Sequence, residues 1–381
     1  MNFQPTEEQE LIRQTVRDFA EREIKPVAQE LDEKEQFSHE ITLKMGELGL
    51  FGITVPQGYG GHGMDTMSYI IAVEELARVD GSQAATVAAH NSLGIGPLLY
   101  YGTEEQKKKY LPALCSGKAL WAFGLTEPEA GSDSRGTKTK AKLENGKWII
   151  NGSKIFITNG SVESSIGATV QAVTGEKDGK KEFSTIIVEK GTPGFARRAM
   201  HGKMMWRSSD TSELFFDDCT VPEGNLLGKI GEGSKIMLST LDNGRLSIAA
   251  MGLGCAQGAF EMAFSYARER KQFGQAISKF QAISFKLADM ATKIELGRNL
   301  LYKACWLKDN HLPFAKEAAM SKLYCSEIAK EVTDEAVQIH GGYGLMKDYP
   351  IERFYRDQRL LQIGEGTSEI QRMVISRYIG C

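Results

Sequence analysis

The sequence lacks the marks of several large protein classes. It contains no run of 18 apolar residues, so no membrane-spanning helix is expected. A net charge of −3 gives no overall positive field that would attract nucleic acid. Its six cysteines form no C-x-x-C pair, which argues for reduced thiols and against a disulfide framework or a zinc site. The six histidines are also isolated, so no metal site is expected.

Common catalytic and targeting signals are missing too. No nucleophile elbow, HExxH motif, P-loop or kinase signature is present. No alternating βαβ pattern is present either, which argues against a Rossmann domain. The N-terminal stretch MNFQPTEEQELIRQTVRDFA is acidic and lacks the apolar core of a signal peptide. A cytoplasmic protein is therefore expected.

The pattern of apolar and polar residues divides the 381 residues into three segments. Residues 1–118 read as capped helices, residues 119–230 alternate apolar and polar side chains as strands do, and residues 231–381 carry long amphipathic helices. The sequence therefore predicts an α+β multidomain protein with an N-terminal all-α domain, a middle β domain and a C-terminal α-helical bundle.

Local signals place some of the helix starts and turns. Thr6 is a predicted N-cap, and Thr103 with Gln106 has the spacing of a capping box. Asn145-Gly146 and Asn151-Gly152 are each flanked by β-favouring residues. Both dipeptides therefore predict hairpin turns.

One carboxylate stands out because glycines flank it. In LQIGEGTSEIQ, residues 361–371, Glu365 lies between Gly364 and Gly366. The simplest interpretation is a tight turn with a solvated glutamate. A carboxylate with such small neighbours also suits a general base that a substrate must reach.

Three further stretches have two interpretations each. AFGLTEPEAGSDS, residues 122–134, is either a domain-linking loop or a set of N–H and hydroxyl groups for a heteroaromatic ring or phosphate. RERKQFGQAISKFQ, residues 268–281, places cations at a helix end, where they suit the helix dipole or a pyrophosphate. QIHGGYG, residues 338–344, is either a helix C-cap or a close approach to a bulky phosphate.

Together and in this order, these stretches resemble the acyl-CoA dehydrogenase family of flavoenzymes. The matching motifs span essentially the whole chain: LTEPEAGSDS, GSKIFITNG, TSELFFDDCTVP, LDNGR, RKQFGQAISKFQAISFKLADM, AVQIHGGYG and EGTSEIQR. The resemblance implies an N-terminal helical domain, a middle β-barrel-like domain and a C-terminal four-helix bundle. It further implies non-covalent FAD, an acyl-CoA substrate, a homotetramer, and electron-transfer flavoprotein as the electron acceptor.

The resemblance also implies a set of binding residues. Those beside the flavin ring and the acyl thioester would be Phe123, Leu125, Thr126, Ser132, Phe156, Ile157 and Thr158. Those for the rest of FAD, in part across a subunit interface, would be Arg270, Phe273, Gln281, Gln338, Gly341, Gly342, Thr367 and Glu369. Those for the acyl-CoA would be Asp242, Arg245, Gly366, Asn91 and Gly364, with Ser132 again.

Glu365 falls on the catalytic base of the family. It would take the α-proton of the thioester while the β-hydride passes to the flavin, which gives the enoyl-CoA. Hydrogen bonds to the thioester oxygen, from the Glu365 backbone N–H and a flavin hydroxyl, would stabilise the developing enolate. Some relatives place the base on the helix of the LDxxR motif, but here that position is Gly244, so Glu365 has no visible competitor.

The substrate expectation comes from departures from the family pattern. Gly364 stands where relatives often have tyrosine, and the missing ring predicts a bulky acyl group: branched, aryl-bearing or alicyclic, such as cyclohexanecarboxyl-CoA. The alternative is a straight short-chain substrate such as butyryl-CoA. His90 and Asn91 are polar within the segment that aligns with the acyl cavity, so they either face solvent or touch an unusual substrate.

Two other classes of protein are compatible with the predicted fold. An acyl-CoA oxidase would pass electrons to oxygen, but oxidases of the superfamily usually carry an extra C-terminal domain. A non-catalytic acyl-CoA-binding protein is the other, and the intact Glu365 argues against it.

Overall fold

A computed structural model describes residues 5–381. The N-terminal helices are α1 (Glu7–Phe19), α2 (Ala28–Lys34), α3 (His39–Glu47), α4 (Thr66–Ala77), α5 (Gly81–Ala89), α6 (Gly96–Tyr101) and α7 (Glu104–Cys115). Thr6 and Thr103 each cap a helix through a capping box, which confirms both predicted helix starts. A π-helical segment, His90–Ile95, joins α5 to α6. No helix within residues 5–381 is both long and apolar enough to cross a membrane.

The middle of the chain forms a mixed sheet. Its strands are β1 (Leu120–Gly124), β2 (Lys140–Glu144), β3 (Lys147–Thr158), β4 (Ser165–Lys177), β5 (Lys180–Glu189), β6 (Phe195–Ala199), β7 (Thr211–Pro222) and β8 (Leu226–Leu227). Their order is β6-β7-β3-β2-β4-β5-β8, and β1 pairs in parallel with β4. The path ends at β6 and β8 without closing, so the predicted term "barrel-like" describes this sheet only loosely.

The two predicted hairpin turns have different outcomes. Asn145 and Gly146 both have positive φ and connect β2 to β3, as predicted. Asn151-Gly152 is not a turn, because both residues lie inside β3 at a break in its register with β7. Gly152 is needed there for a close approach: a Cβ would lie 2.7 Å from Cα of Thr139. The same dipeptide signal therefore marks a bulge instead of a hairpin.

The C-terminal part is a bundle of long helices, as the resemblance implied. Its elements are α8 (Gly233–Glu269), the short hairpin β9 (Lys271–Gln272) and β10 (Gln275–Ala276), α9 (Gln281–Asp309), α10 (Ala315–His340), α11 (Ile351–Asp357) and α12 (Ser368–Ile379). The N-terminal helices share one buried apolar cluster with this bundle, which includes Val73 of α4, Leu253 of α8 and Leu301 of α9. The sheet has its own core around Trp148 and Phe216. The two helical parts are thus a single packing unit.

Glycines let α8 approach α4 closely. A Cβ on Gly254 would lie 2.2 Å from the carbonyl oxygen of Glu74, and a Cβ on Gly258 would lie 2.2 Å from that of Arg78. Both neighbours are backbone atoms, which cannot move aside as a flexible side chain can. This contact fixes the position of α8, which also carries residues of the site described below.

We therefore expect Gly254→Ala to destabilise the protein by about 1–3 kcal/mol through overpacking, although alanine favours helices over glycine. Thermal unfolding measures the effect. Gly58→Ala is the control, because a Cβ there meets no atom within 4 Å. A Gly254→Ala variant at least as stable as the wild type would contradict the close contact.

Candidate active site

The loop around Glu365 has an unusual backbone. Glu365 has φ +52° and Gly366 has φ +92°, so two successive residues are left-handed. For a non-glycine residue this conformation costs about 1–2 kcal/mol, and it persists only where the surroundings hold it. Gly366 also permits close packing, because a Cβ there would lie 2.8 Å from Nε2 of Gln371. The predicted tight turn is present, and it holds Glu365 in a strained conformation.

The side chain of Glu365 points into the protein. Its Oε2 atom is buried and has no hydrogen-bond partner among the described residues. It lies against Gly244 of α8, where a Cβ would come within 1.7 Å of Oε2 and 3.2 Å of Leu93 Cδ2. The carboxylate therefore fits only because position 244 has no side chain. The two positions that the resemblance implies for a base are neighbours in this structure.

The electrostatic surroundings favour a base that works near neutral pH. Burial raises the pKa of Glu365 to about 7, and the positive charges of Lys322 and Arg245 limit the rise. Lys322 is fully buried on α10, and its Nζ donates a hydrogen bond of 2.7 Å to the carbonyl oxygen of Gly366. Sequence reasoning missed Lys322, because a lysine in an amphipathic helix usually marks its solvent face.

The predicted CoA-contacting pair lies on the same helix as Gly244. Arg245 and Asp242 form an ion pair one turn apart on α8. Arg245 is buried, and its Nε has no hydrogen-bond partner among the described residues. Burial also raises the pKa of Asp242. The structure thus places Arg245 close enough to act on Glu365, and the contact of Asp242 and Arg245 with substrate stays a prediction.

A buried ion pair shapes the loop that was predicted to face the flavin. Nζ of Lys154, a fully buried residue of β3, donates to Oε1 of Glu127 at 2.7 Å and to the carbonyl oxygen of Leu125 at 3.1 Å. The backbone of Thr126 also accepts a hydrogen bond of 2.9 Å from Ile155 N. These contacts hold the predicted residues Leu125 and Thr126 beside the end of β3.

Phe156 has the geometry of a ligand-contacting residue. It has φ +61° at a second register break of β3, and its side chain is 63% exposed. An exposed aromatic ring on strained backbone at the end of a strand fits contact with a flat cofactor ring. Ile157 points into the sheet core, so only its backbone can contribute. Thr158 is half-buried.

The other two residues predicted beside the flavin ring and the thioester, Phe123 and Ser132, differ in exposure. Phe123 is almost fully buried on β1, and Ser132 is exposed in the loop that follows Glu127. Their direct contact with flavin or thioester stays a prediction.

A second group of predicted residues meets at one open cavity of about 460 Å³. Arg270, Gly341 and Gly342 line it, and the guanidinium of Arg270 lies 5.6 Å from the centre of the Tyr343 ring. A Cβ on either glycine would meet no atom within 4 Å, so the backbone there is open to a ligand. A cation beside accessible backbone fits the phosphate-bearing half of FAD.

Other predicted FAD residues lie outside that cavity. Phe273, in the β9–β10 hairpin, is 93% exposed, and Gln281 and Gln338 are exposed on α9 and α10. Thr367 caps α12 by accepting a hydrogen bond from Ile370 N, and Glu369 is exposed in the first turn. The exposure of Phe273, Gln281 and Gln338 is compatible with the expectation that part of the FAD site is shared between subunits.

His90 and Asn91 do not face solvent, because both side chains are buried and bonded to backbone groups. His90 Nδ1 accepts from Trp121 N at 3.2 Å, so Nε2 carries the proton donated to Leu114 O at 3.0 Å. Burial lowers the pKa of His90 to about 4. The Asn91 amide accepts from Gly52 N and donates to the carbonyls of Leu50 and Val87. These contacts anchor the π-helical segment. Asn91 also lines a small cavity with Tyr69 and Leu246, and its contact with substrate stays a prediction.

Gly364 has room for a small side chain. A Cβ built there would lie 3.6 Å from Leu360 Cγ, at ordinary van der Waals distance. The effect of the missing ring at 364 on the acyl pocket stays a prediction.

A strained loop residue with a buried carboxylate oxygen, together with residues elsewhere in the chain that fit a flavin nucleotide, indicates a cofactor-dependent enzyme of proton abstraction. Comparison with known proteins specifies it further. Models of the N-terminal, middle and C-terminal domains of acyl-CoA dehydrogenases match residues 6–118, 122–219 and 231–380. The chain belongs to the acyl-CoA dehydrogenase family and is an oxidoreductase that acts on CH–CH groups.

Relatives cover the whole chain. A probable acyl-CoA dehydrogenase of Bacillus subtilis is 52% identical over 380 residues, which is 100% of both chains. A short-chain specific acyl-CoA dehydrogenase of Clostridium acetobutylicum is 49% identical over 376 residues, 99% of each.

Solved structures agree with the fold. Butyryl-CoA dehydrogenase from Megasphaera elsdenii has a TM-score of 0.97 at 43% identity and covers 100% of both chains. A chain from a study of the electron transferring flavoprotein of Acidaminococcus fermentans and flavin-based electron bifurcation has a TM-score of 0.97 at 48% identity, again over 100% of both. An acyl-CoA dehydrogenase from Bacillus anthracis, solved with FAD, has a TM-score of 0.92 at 37% identity and covers 98% of this chain and 67% of that one. FAD is the cofactor of this protein.

The contact between Gly244 and Glu365 predicts a catalytic effect with little cost to the fold. The atoms that a Cβ at 244 would meet are ends of flexible side chains, Glu365 Oε2 and Leu93 Cδ2. Gly244→Ala should therefore fold but displace the carboxylate, and a displacement of about 1 Å lowers turnover on the order of 100-fold. Stopped-flow flavin reduction by an acyl-CoA measures this. Gly224→Ala, where a Cβ meets nothing within 4 Å, should keep the wild-type rate; wild-type turnover in Gly244→Ala would contradict the contact.

The raised pKa of Glu365 predicts a pH-dependent stability. A carboxyl whose pKa is higher in the folded than in the unfolded state loses stability as it ionises, here between the ordinary value of 4.5 and about 7. Glu365→Gln avoids that loss, so its advantage in unfolding free energy should grow by about 2 kcal/mol from pH 5 to pH 8. Denaturant unfolding at both pH values tests this.

The matched control is Glu369→Gln, in the first turn of α12, four residues after Glu365. The side chain of Glu369 is exposed, and the backbone N–H groups of the helix start lower its pKa, so its advantage should not grow with pH. Equal pH trends for the two variants would show that the carboxylate of Glu365 is solvated.

Proposed function

We propose that this protein dehydrogenates short, straight-chain acyl-CoA thioesters, of which butyryl-CoA is representative, with Glu365 as the base. The observation that carries the proposal is Oε2 of Glu365, which is buried without a hydrogen-bond partner among the described residues, in a carboxyl group whose pKa is raised to about 7. Such a group is partly ionised at neutral pH and is a stronger base than a solvated glutamate.

The residues around Glu365 suit removal of the α-proton. The backbone N–H of Glu365 would donate to the thioester oxygen, where negative charge develops. Arg245, on the next turn of α8 from Asp242, would hold the CoA portion. The α-proton passes to the carboxylate, and the product is the α,β-enoyl-CoA. Bound FAD supplies the acceptor for the hydride that leaves the β-carbon.

Similarity to known enzymes supports a short acyl chain. The relatives named above include a short-chain specific enzyme at 49% identity and a butyryl-CoA dehydrogenase at 43%. The bulky or alicyclic substrate expected from Gly364 has no such support.

The partners follow from the same comparison. A structure related over the whole chain belongs to work on an electron transferring flavoprotein, so we propose such a flavoprotein as the electron acceptor. We also propose a homotetramer. The C-terminal helices expose large apolar side chains, including Phe285 at 61%, Leu296 at 57% and Trp306 at 50%, which a second subunit would cover.

Anaerobic titration of the FAD-loaded protein with a panel of acyl-CoAs tests the proposal. Butyryl-CoA and hexanoyl-CoA should bleach the flavin more readily than cyclohexanecarboxyl-CoA or isovaleryl-CoA. Glu365→Gln should retain binding of butyryl-CoA but lose bleaching, because the amide cannot accept the α-proton.

Other outcomes would indicate other functions. A clear preference for the cyclic or branched substrate would restore the bulky-substrate interpretation. Rapid hydrogen peroxide formation in air, without an added acceptor, would indicate an oxidase. Bleaching that persists in Glu365→Gln would place the base elsewhere.

A further inference from the structure

We propose that Lys322 is a positioning residue for this reaction, whose ammonium group both fixes the peptide that follows Glu365 and supplies positive potential that favours the carboxylate form of the base. The inference rests on the proposed function of Glu365. Lys322 was not among the residues that the sequence implied for substrate or cofactor.

The geometric part of the role is that two side chains contact the consecutive carbonyls of Glu365 and Gly366. Lys322 Nζ donates to Gly366 O at 2.7 Å, and Gln371 Nε2 donates to the same oxygen at 2.9 Å. Gln371 Nε2 also lies 3.3 Å from Glu365 O. Lys322 and Gln371 are both fully buried, so water does not compete for these bonds. Two helices, α10 and α12, thereby hold the left-handed backbone that orients the carboxylate.

A neutral donor would satisfy a carbonyl equally well, as Gln371 shows. A fully buried ammonium is costly unless its charge is used, because burial removes it from water. Burial lowers the pKa of Lys322 to about 8, and the charge of Glu365 limits that fall, so Lys322 is largely cationic at pH 7. The presence of lysine where a neutral side chain would suffice points to a role for the charge.

The other ionisable groups near Glu365 and Lys322 lie on α4, α8, α10 and α12. Arg245 on α8 is the second cation, but Asp242 pairs with it and partly cancels its field. Tyr69 on α4 is close enough to respond to Glu365, and burial raises its pKa so that it stays neutral. Glu327 and Glu369 act on Lys322 from α10 and α12. Lys322 is thus the cation near Glu365 without its own ion-pair partner among the described residues.

The pH dependence of flavin reduction at saturating butyryl-CoA separates the charge of Lys322 from its hydrogen bond. The rate of flavin reduction rises with pH as Glu365 ionises. In Lys322→Met we expect the midpoint of this rise to move up by at least one pH unit. The rate at pH 7 should be at least tenfold lower and should partly recover at higher pH. Lys322→Gln, which can still donate to the Gly366 carbonyl, should show the same upward shift.

Gln371→Met is the matched control. It removes the neutral donor to the same carbonyl, so the rate should fall while the midpoint stays within a few tenths of a unit of the wild type. A wild-type midpoint in both Lys322 variants, or an equal shift in Gln371→Met, would overturn the role of the charge.

A second measurement does not depend on catalysis. In a double-mutant cycle of Lys322→Met and Glu365→Gln, followed by thermal unfolding of the FAD-loaded protein at pH 8, the two changes should be non-additive, with Lys322→Met less damaging in the Glu365→Gln background. Additive effects would overturn the inference even if flavin reduction failed. Absence of flavin bleaching in the wild type, with non-additive unfolding, would instead overturn the proposed function alone.

Discussion

The site depends on shielding one carboxylate oxygen from water. Glu365 Oε2 rests against the bare Cα of Gly244, and no protein donor bonds to it within the part of the chain that the structure describes. An isolated buried anion is unfavourable, so the protein places cations nearby but directs their hydrogen bonds to other atoms. As a result, the carboxyl group of Glu365 is only partly ionised at neutral pH.

Rigid helices and one buried ion pair maintain this arrangement. The glycine contacts between α4 and α8 fix Gly244 and Arg245, while α10 and α12 fix the loop of Glu365. At the sheet, Lys154 and Glu127 hold the loop that leads from β1 towards the predicted flavin contacts. Catalytic geometry therefore rests on side chains that need not touch either substrate or cofactor, consistent with the general need for preorganised support.

Sequence patterns predicted the architecture well and the buried polar contacts poorly. Caps such as Thr6 and Thr103 are local, so they could be read directly. The dipeptide Asn151-Gly152 could not, because a bulge and a hairpin both need backbone that glycine adopts. Lys154 and Lys322 look like surface lysines until distant segments enclose them. His90 and Asn91 bond to backbone groups from distant segments, which residue type alone does not reveal.

The shared helical core has a consequence for synthesis of the chain. Val73 and Leu253 belong to one apolar cluster, and Arg13 bonds to Tyr302, so the first helices lack their partners until far more of the polypeptide has left the ribosome. At typical elongation rates that delay is roughly ten to thirty seconds. The sheet, with a core of its own, can collapse in the interval. Newly made N-terminal helices thus expose apolar faces for that time, and binding by a chaperone would protect them from aggregation.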